Sequence, residues 1–203
     1  MGCIAIIDYG VGNLKSVSNA LRYLGCESVI TADPQELERA DGVILPGVGA
    51  FPDAADKLRA AGLDQTVITQ GQKKPVLGIC LGMQLLLERG EEVRPCPGLG
   101  VVQGVCAKIP TQEKLPHIGW NTLTFSHDSP LFQGLDQGTS VYFVHSFSAQ
   151  DTSEAQVIAT TDYGIPVTAA VQNGNFFGCQ FHPEKSGDAG LHILRNFARL
   201  SQS

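Results

Sequence analysis

Between Ile4 and Leu87 the chain alternates short apolar runs with helix-spaced segments, a rhythm that few folds satisfy. Ile4-Ala-Ile-Ile7 reads as a strand that ends in the loop Asp8-Tyr-Gly-Val-Gly-Asn13. Leu14, Val17, Leu21 and Leu24 then recur at helical spacing, and Gly25 is placed to end that helix. Glu27–Thr31 is a second strand. Asp33-Pro34-Gln35-Glu36 is a helix start, with Asp33 as N-cap, Pro34 at the first helical position and Glu36 positioned to close a capping box. Val43-Ile-Leu45 runs into Pro46-Gly-Val-Gly49, helical segments continue to about Gly71, and Pro75–Cys80 is a fourth strand leading into a Leu/Met/Gln run that favours helix. Strand, helix, strand, helix in this order implies a parallel sheet covered by helices on both faces.

From about Gly98 the pattern changes. Strand-like runs dominate at Val101–Ile109, Thr122–Phe125, Ser140–Phe147, Val157–Thr161 and Val167–Val171. Gln172-Asn-Gly-Asn175 signals a hairpin into Phe176–Phe181. A terminal amphipathic helix over 190–200 presents Leu191, Leu194, Phe197 and Ala198. No repeat or linker interrupts the chain. The expected fold is one α/β domain over 1–203, a mainly parallel sheet flanked by helices with antiparallel strands added in the second half.

Composition narrows the function. A net charge of -6 and no basic run longer than Lys73-Lys74 argue against nucleic acid as a partner. No apolar run approaches the ~20 residues that cross a bilayer, so no membrane is expected. The first residues enter a strand pattern without a basic leader, which points to the cytoplasm. The six cysteines form no C-x-x-C pair and mostly sit in apolar runs, the pattern of buried reduced thiols. No His/Cys cluster has metal-ligand spacing, so neither metal nor cofactor is expected.

Cys80 stands apart from the other five. It lies where a strand turns directly into a helix, between Gly78 and Gly82. Ligands of open parallel sheets gather at that carboxyl end. On so sharp a turn, side chains two residues before and after would collide, and glycine avoids this, as in the nucleophile elbow of hydrolases. A thiol there faces unpaired N–H groups and the positive end of a helix, which favour thiolate, and the Leu81 N–H can donate to an oxyanion beside the sulfur. The plainer alternative is a small core residue. Among five histidines, His127 sits in a polar turn, His192 opens the terminal helix, and His117 and His145 carry no clear signal. His182 ends a strand within Phe181-His-Pro-Glu184, where Glu184 can orient its ring. Cys80, His182 and Glu184 are thus a candidate triad.

These residues carry a resemblance. Gly78-Ile-Cys-Leu-Gly-Met-Gln84 and Phe181-His-Pro-Glu184 are similar to the two signatures of the class I (triad) glutamine amidotransferases, whose fold is flavodoxin-like. Asp8–Leu14, Pro46-Gly-Val-Gly49 and Pro116-His-Ile-Gly-Trp-Asn121 narrow it to the family of glutaminase subunits of imidazole glycerol phosphate synthase, in histidine biosynthesis. The resemblance implies that Cys80 attacks glutamine, that His182 moves the proton and that Glu184 orients His182. It places the oxyanion between the N–H groups of Leu81 and Val48, the latter offered by a flip of the Gly47–Val48 peptide. It assigns glutamine contacts to Gly49, Gln84 and the segment His145 to Phe147, with Ser146 and Phe147 foremost and Phe147 standing where many relatives have Tyr. The implied partner is a (βα)8-barrel synthase subunit that receives ammonia, with Asn13, Lys15, Trp120, Asn121 and Lys185 as interface candidates. Three other readings share some of these features: a cysteine-elbow hydrolase or peptidase, an amidotransferase serving another synthase, and a non-catalytic subunit. The last would be expected to lack a triad member.

Overall fold

The computed structural model describes residues 2–202; the two end positions of the expected 1–203 domain lie outside the described residues. The first half follows the predicted alternation: β1 (Cys3–Ile7), α1 (Leu14–Tyr23), β2 (Glu27–Thr31), α2 (Pro34–Arg39), β3 (Gly42–Gly47), α3 (Phe51–Ala60), α4 (Asp64–Gly71), β4 (Val76–Cys80) and α5 (Leu81–Leu85). The second half adds β5 (Leu87–Gly90), β6 (Cys96–Pro97), β7 (Val102–Lys108), β8 (His117–Thr122), β9 (Thr124–Phe125), β10 (Ser140–His145), β11 (Phe147–Gln150), β12 (Val157–Asp162), β13 (Pro166–Asn173), β14 (Phe176–Cys179) and α6 (Gly187–Leu200).

The main sheet runs β2-β1-β3-β4-β14-β13-β12-β9. Its first five strands pair in parallel, and β13, β12 and β9 join antiparallel. One face is covered by α2 to α5 through Leu37, Phe51, Leu58, Val67 and Leu85; the other is covered by α1 and α6 through Val17, Leu21, Ile193, Leu194 and Phe197. At about 1.5–3 kcal/mol for each fully buried large apolar side chain, these contacts fix which face each short helix turns inward. Both β4 and β14 are buried along their length, so their carboxyl ends deliver Cys80 and the segment before His182 to the same edge.

Several expectations change in detail. Asp33 does cap α2, accepting from the Gln35 N–H at 2.9 Å. The capping box does not close through Glu36, because the Asp33 N–H donates to Thr31 Oγ1 at 2.9 Å instead. The run after Cys80 is helical only to Leu85, since Leu87–Gly90 is drawn into a separate four-stranded sheet, β11-β7-β5-β6. The apolar run over 140–147 is not one strand. β10 pairs with β8 and β11 with β7, so the chain changes sheets at Ser146. Strand β8 was not anticipated. It alternates His117, Gly119 and Asn121 with the exposed Ile118, Trp120 and Thr122, the rhythm of a two-sided strand. The hairpin is as expected, closed by Gly174-Asn175 between Asn173 and Phe176. Helix α6 starts at Gly187, and Ile193 joins Leu194, Phe197 and Ala198 in the core while Leu191 stays half-buried.

Candidate active site

The elbow follows from backbone packing. Cys80 adopts φ 54 and ψ -110, a conformation that costs a side-chain-bearing residue on the order of 1–3 kcal/mol. Neighbouring backbone holds it there. A Cβ on Gly82 would stand 1.8 Å from the Leu45 carbonyl oxygen of β3, and one on Gly78 would stand 2.6 Å from the Gly82 oxygen. In each case the obstructing atom is backbone, so no rotamer change relieves the clash. Gly82→Ala is therefore expected to destabilise the fold by about 1–3 kcal/mol, lowering Tm by roughly 2–12 °C in a chain of this size. Thermal unfolding measures this, and an unchanged Tm would contradict the close approach.

A cleft of about 380 Å³ opens over the sulfur, lined by Val48, Gly49, Cys80, Leu81, Gln84, Glu92, Pro116, Val144, His145, Ser146, Phe147, His182 and Lys185. Ten of these were singled out from the sequence (Val48, Gly49, Cys80, Leu81, Gln84, His145, Ser146, Phe147, His182 and Lys185). They come from the ends of β3 and β4, the first turn of α5, the β10–β11 crossover and the segment after β14. All six cysteines are free, and Cys80 is the one that lines this cleft. Among the described residues no group of three or more His, Cys, Asp or Glu is arranged to hold a metal.

His182 Nδ1 donates to Glu184 Oε1 at 2.8 Å, with both side chains almost wholly buried. Burial pulls the His182 pKa down, but hydrogen bonds and charges from Cys80 and Glu184 outweigh it and hold the ring up to about 9. A folded value above the usual 6.5 means that this group's contribution to stability is complete below about pH 6.5 and is lost as pH rises through about 9. With α5 only five residues long, little macrodipole is available. The sulfur is contacted instead by His182 and by the Gln180 amide, whose Nε2 donates to Sγ at 3.7 Å.

Two interface candidates are used inside the chain. Asn13 Nδ2 donates to Glu184 Oε1 at 3.4 Å while its oxygen accepts from Ser16. Asn121 donates to His117 and to the Asp162 carbonyl. Asn13 thus adds a second, longer contact to the Glu184 oxygen that already accepts from His182. Trp120 is 59% exposed rather than core, and Lys15 and Lys185 are exposed. The exposed His127 bonds the Glu154 carbonyl, and His192 bonds that of Gln133, both away from the cleft.

Sequence reasoning missed Glu92 and Gln180. Glu92 follows β5 in a loop without local signal, and its carboxylate accepts the Phe51 N–H at 2.8 Å. Gln180 stands immediately before Phe181-His-Pro-Glu184 and is fully buried. Its burial, which only the structure shows, is what marks it.

Comparison with known proteins agrees with this geometry. A family model described as "Glutamine amidotransferase class-I" matches residues 5–200. Imidazole glycerol phosphate synthase subunit HisH of Bacillus cereus is 52% identical over 197 residues, covering 96% of this chain and 93% of that protein. The subunit of the same name from Bacillus thuringiensis is 50% identical over 195 residues, with the same coverage. A crystal structure titled as a glutamine amidotransferase superposes with a TM-score of 0.77 at 21% identity, over 98% of this chain and 99% of the other, which shows the fold.

Proposed function

The chain belongs to the class I glutamine amidotransferases, and we propose that it is the glutaminase subunit of imidazole glycerol phosphate synthase, a single-domain cytoplasmic enzyme of histidine biosynthesis. The observation that carries the reading is that Cys80 and His182 line one cleft with Glu184 hydrogen-bonded behind His182, in a chain half identical to the HisH subunits.

In this account Cys80 Sγ attacks the side-chain amide carbon of glutamine, and the negative charge that develops on oxygen is met by the N–H groups of Leu81 and Val48. His182 holds the proton taken from the thiol and passes it to the departing nitrogen, so that the C–N bond breaks and ammonia leaves. Water then attacks the γ-glutamyl thioester, His182 takes a proton from it, and glutamate departs as Sγ recovers that proton. Glu184 fixes the tautomer by accepting from Nδ1, leaving Nε2 to face the chemistry.

Recognition of glutamine follows from what each lining group has left to offer. Both N–H bonds of Gln84 are taken, by the Phe147 carbonyl and by Gln180 Oε1, each at 3.0 Å. Gln84 therefore offers glutamine its oxygen, an acceptor. Glu92 supplies the cleft's carboxylate for the ammonium of the substrate, beside Gly49, Ser146 and Phe147. Position 147 contributes its backbone carbonyl to this network, which explains how Phe serves there without a hydroxyl.

Ammonia passes to a (βα)8-barrel subunit that forms imidazole glycerol phosphate and AICAR, docked over the cleft near the exposed Trp120, Lys15 and Lys185. Control acts through the Gly47–Val48 peptide. Gly47→Pro is a poor test of it, because a Cβ at Gly47 would already stand 2.8 Å from the Gly82 nitrogen. Val48 is 44% exposed, so Val48→Pro removes the N–H with less disturbance. It is expected to lower partner-stimulated kcat by about 10²–10³, and an unchanged kcat would remove Val48 from the oxyanion site.

The experiment that tests the function measures glutamate release by this chain alone, then with the barrel subunit and its ribulosyl nucleotide ligand. Strong stimulation by the loaded partner is expected. A glutaminase indifferent to the barrel would belong to another pathway, and absence of glutamate throughout would return the elbow to a hydrolase.

A further inference from the structure

His117 and His145 form a buried pair with His117 Nδ1 and His145 Nε2 3.1 Å apart. Their tautomers are fixed from the ends. His145 Nδ1 lies 2.8 Å from the Phe147 carbonyl, which can only accept, so Nδ1 carries the proton. Burial, with smaller contributions from the neighbouring imidazoles, holds His145 down to about 4, so the ring is neutral and its Nε2 accepts. His117 Nδ1 must then be the donor. Burial lowers His117 too, leaving its Nε2 to accept from Asn121 Nδ2 at 3.2 Å. The Asn121 amide is oriented in turn, because its oxygen accepts from the Thr122 N–H at 2.8 Å. The His117 ring is stacked between Phe143 and Tyr163, with centroids 4.7 and 4.0 Å away, which fixes its plane.

A second arm leaves the same carbonyl. Gln84 gives one N–H to Phe147 and must give the other to Gln180 Oε1. That fixes the Gln180 amide with its nitrogen toward Cys80 Sγ. Every donor and acceptor from β8 to the sulfur thus has one permitted direction.

We propose that Gln180 is a positioning residue for the Cys80 sulfur, oriented through Gln84 by the Phe147 carbonyl, whose place is held from the other side by the row His145, His117 and Asn121 on β8. The proposal deepens the glutaminase reading and rests on Cys80 being the nucleophile. Its physical content is that a neutral N–H donor facing Sγ stabilises the thiolate over the thiol. The other titratable groups that face or charge the sulfur are His182 with Glu184 behind it, Tyr9 and Cys106, and all are kept in the variants below.

The test is the pH profile of Cys80 alkylation by iodoacetamide, followed on the Cys80 peptide by mass spectrometry in the full chain. Gln180→Met removes the donor, and the rate constant at pH 7 is expected to fall about three- to tenfold, with the profile displaced to higher pH. Gln180→Glu keeps the side-chain shape but sets a carboxylate beside the sulfur, and a larger fall is expected; it carries the test if the Met variant does not fold. His117→Phe keeps the stacking but cuts the first arm, and a smaller fall of about twofold is expected. Identical profiles for wild type and both Gln180 variants would overturn the positioning role. A wild-type profile in His117→Phe would overturn the connection to β8. The readout needs no glutamine, so it is separable from the proposed activity: displaced profiles in a chain that releases no glutamate would sink the function and leave this inference standing.

Discussion

Replacing Cys80 with alanine is expected to lower glutamate release by at least about 10⁴-fold with the fold intact. The size follows from what the substitution removes. Without Sγ there is no thioester, and one water must attack an unactivated amide directly, as when a nucleophile is deleted from a triad hydrolase. Binding and the oxyanion donors survive, since Leu81, Gly49 and Gln84 are untouched, so the loss falls on kcat while KM for glutamine stays within a few fold. Steady-state kinetics with the loaded partner, alongside a thermal melt, checks this. Residual activity above about 1% of wild type would mean that Cys80 is not the attacking group.

His182→Gln is expected to cost about 10²–10⁴-fold in kcat, and the wild-type pH profile should show why. The ring is held up to about 9 by Cys80 and Glu184 against the opposing effect of burial, so it carries its proton below that pH and can deliver it to the leaving nitrogen. Activity should therefore hold through neutral pH and decline as pH rises through about 9. In the Gln variant that alkaline decline should disappear along with most of the rate. A profile that falls instead on the acid side of pH 7 would assign His182 the role of a neutral base.

The first half of the fold was legible because each element carried its own local signal. The 3.6-residue spacing of Leu14, Val17 and Leu21 and the cap at Asp33 depend on neighbours in sequence. The elbow was legible for the same reason, since Gly78 and Gly82 mark a backbone crowded by itself and by β3. What failed depended on distant partners. Leu87–Gly90 has no strand signature of its own and becomes one by pairing with β6 and β7. The single apolar run over 140–147 gave no hint that Ser146 divides two sheets, yet that crossover places His145 and Phe147 at the cleft. Cys80, His182 and Glu184 could be singled out from their motifs. Glu92 and Gln180 could not, because their roles arise only where β5, β14 and the crossover meet.

Asn13, an interface candidate from the sequence, also has an internal contact: its amide reaches Glu184, which holds His182. The start of α1 is thereby tied to the site 171 positions later in the chain. Such a link would let a partner docked on α1 affect the triad without touching it.

The central claim is that glutamine is opened on the Cys80 sulfur. Acid-quenching the enzyme during turnover with loaded partner, then measuring the intact mass and digesting, tests it most directly. A γ-glutamyl adduct on the peptide carrying Cys80, present in wild type and absent from Cys80→Ala, is the predicted result. Undiminished glutamate release with no adduct, or with the adduct on another cysteine, would contradict it.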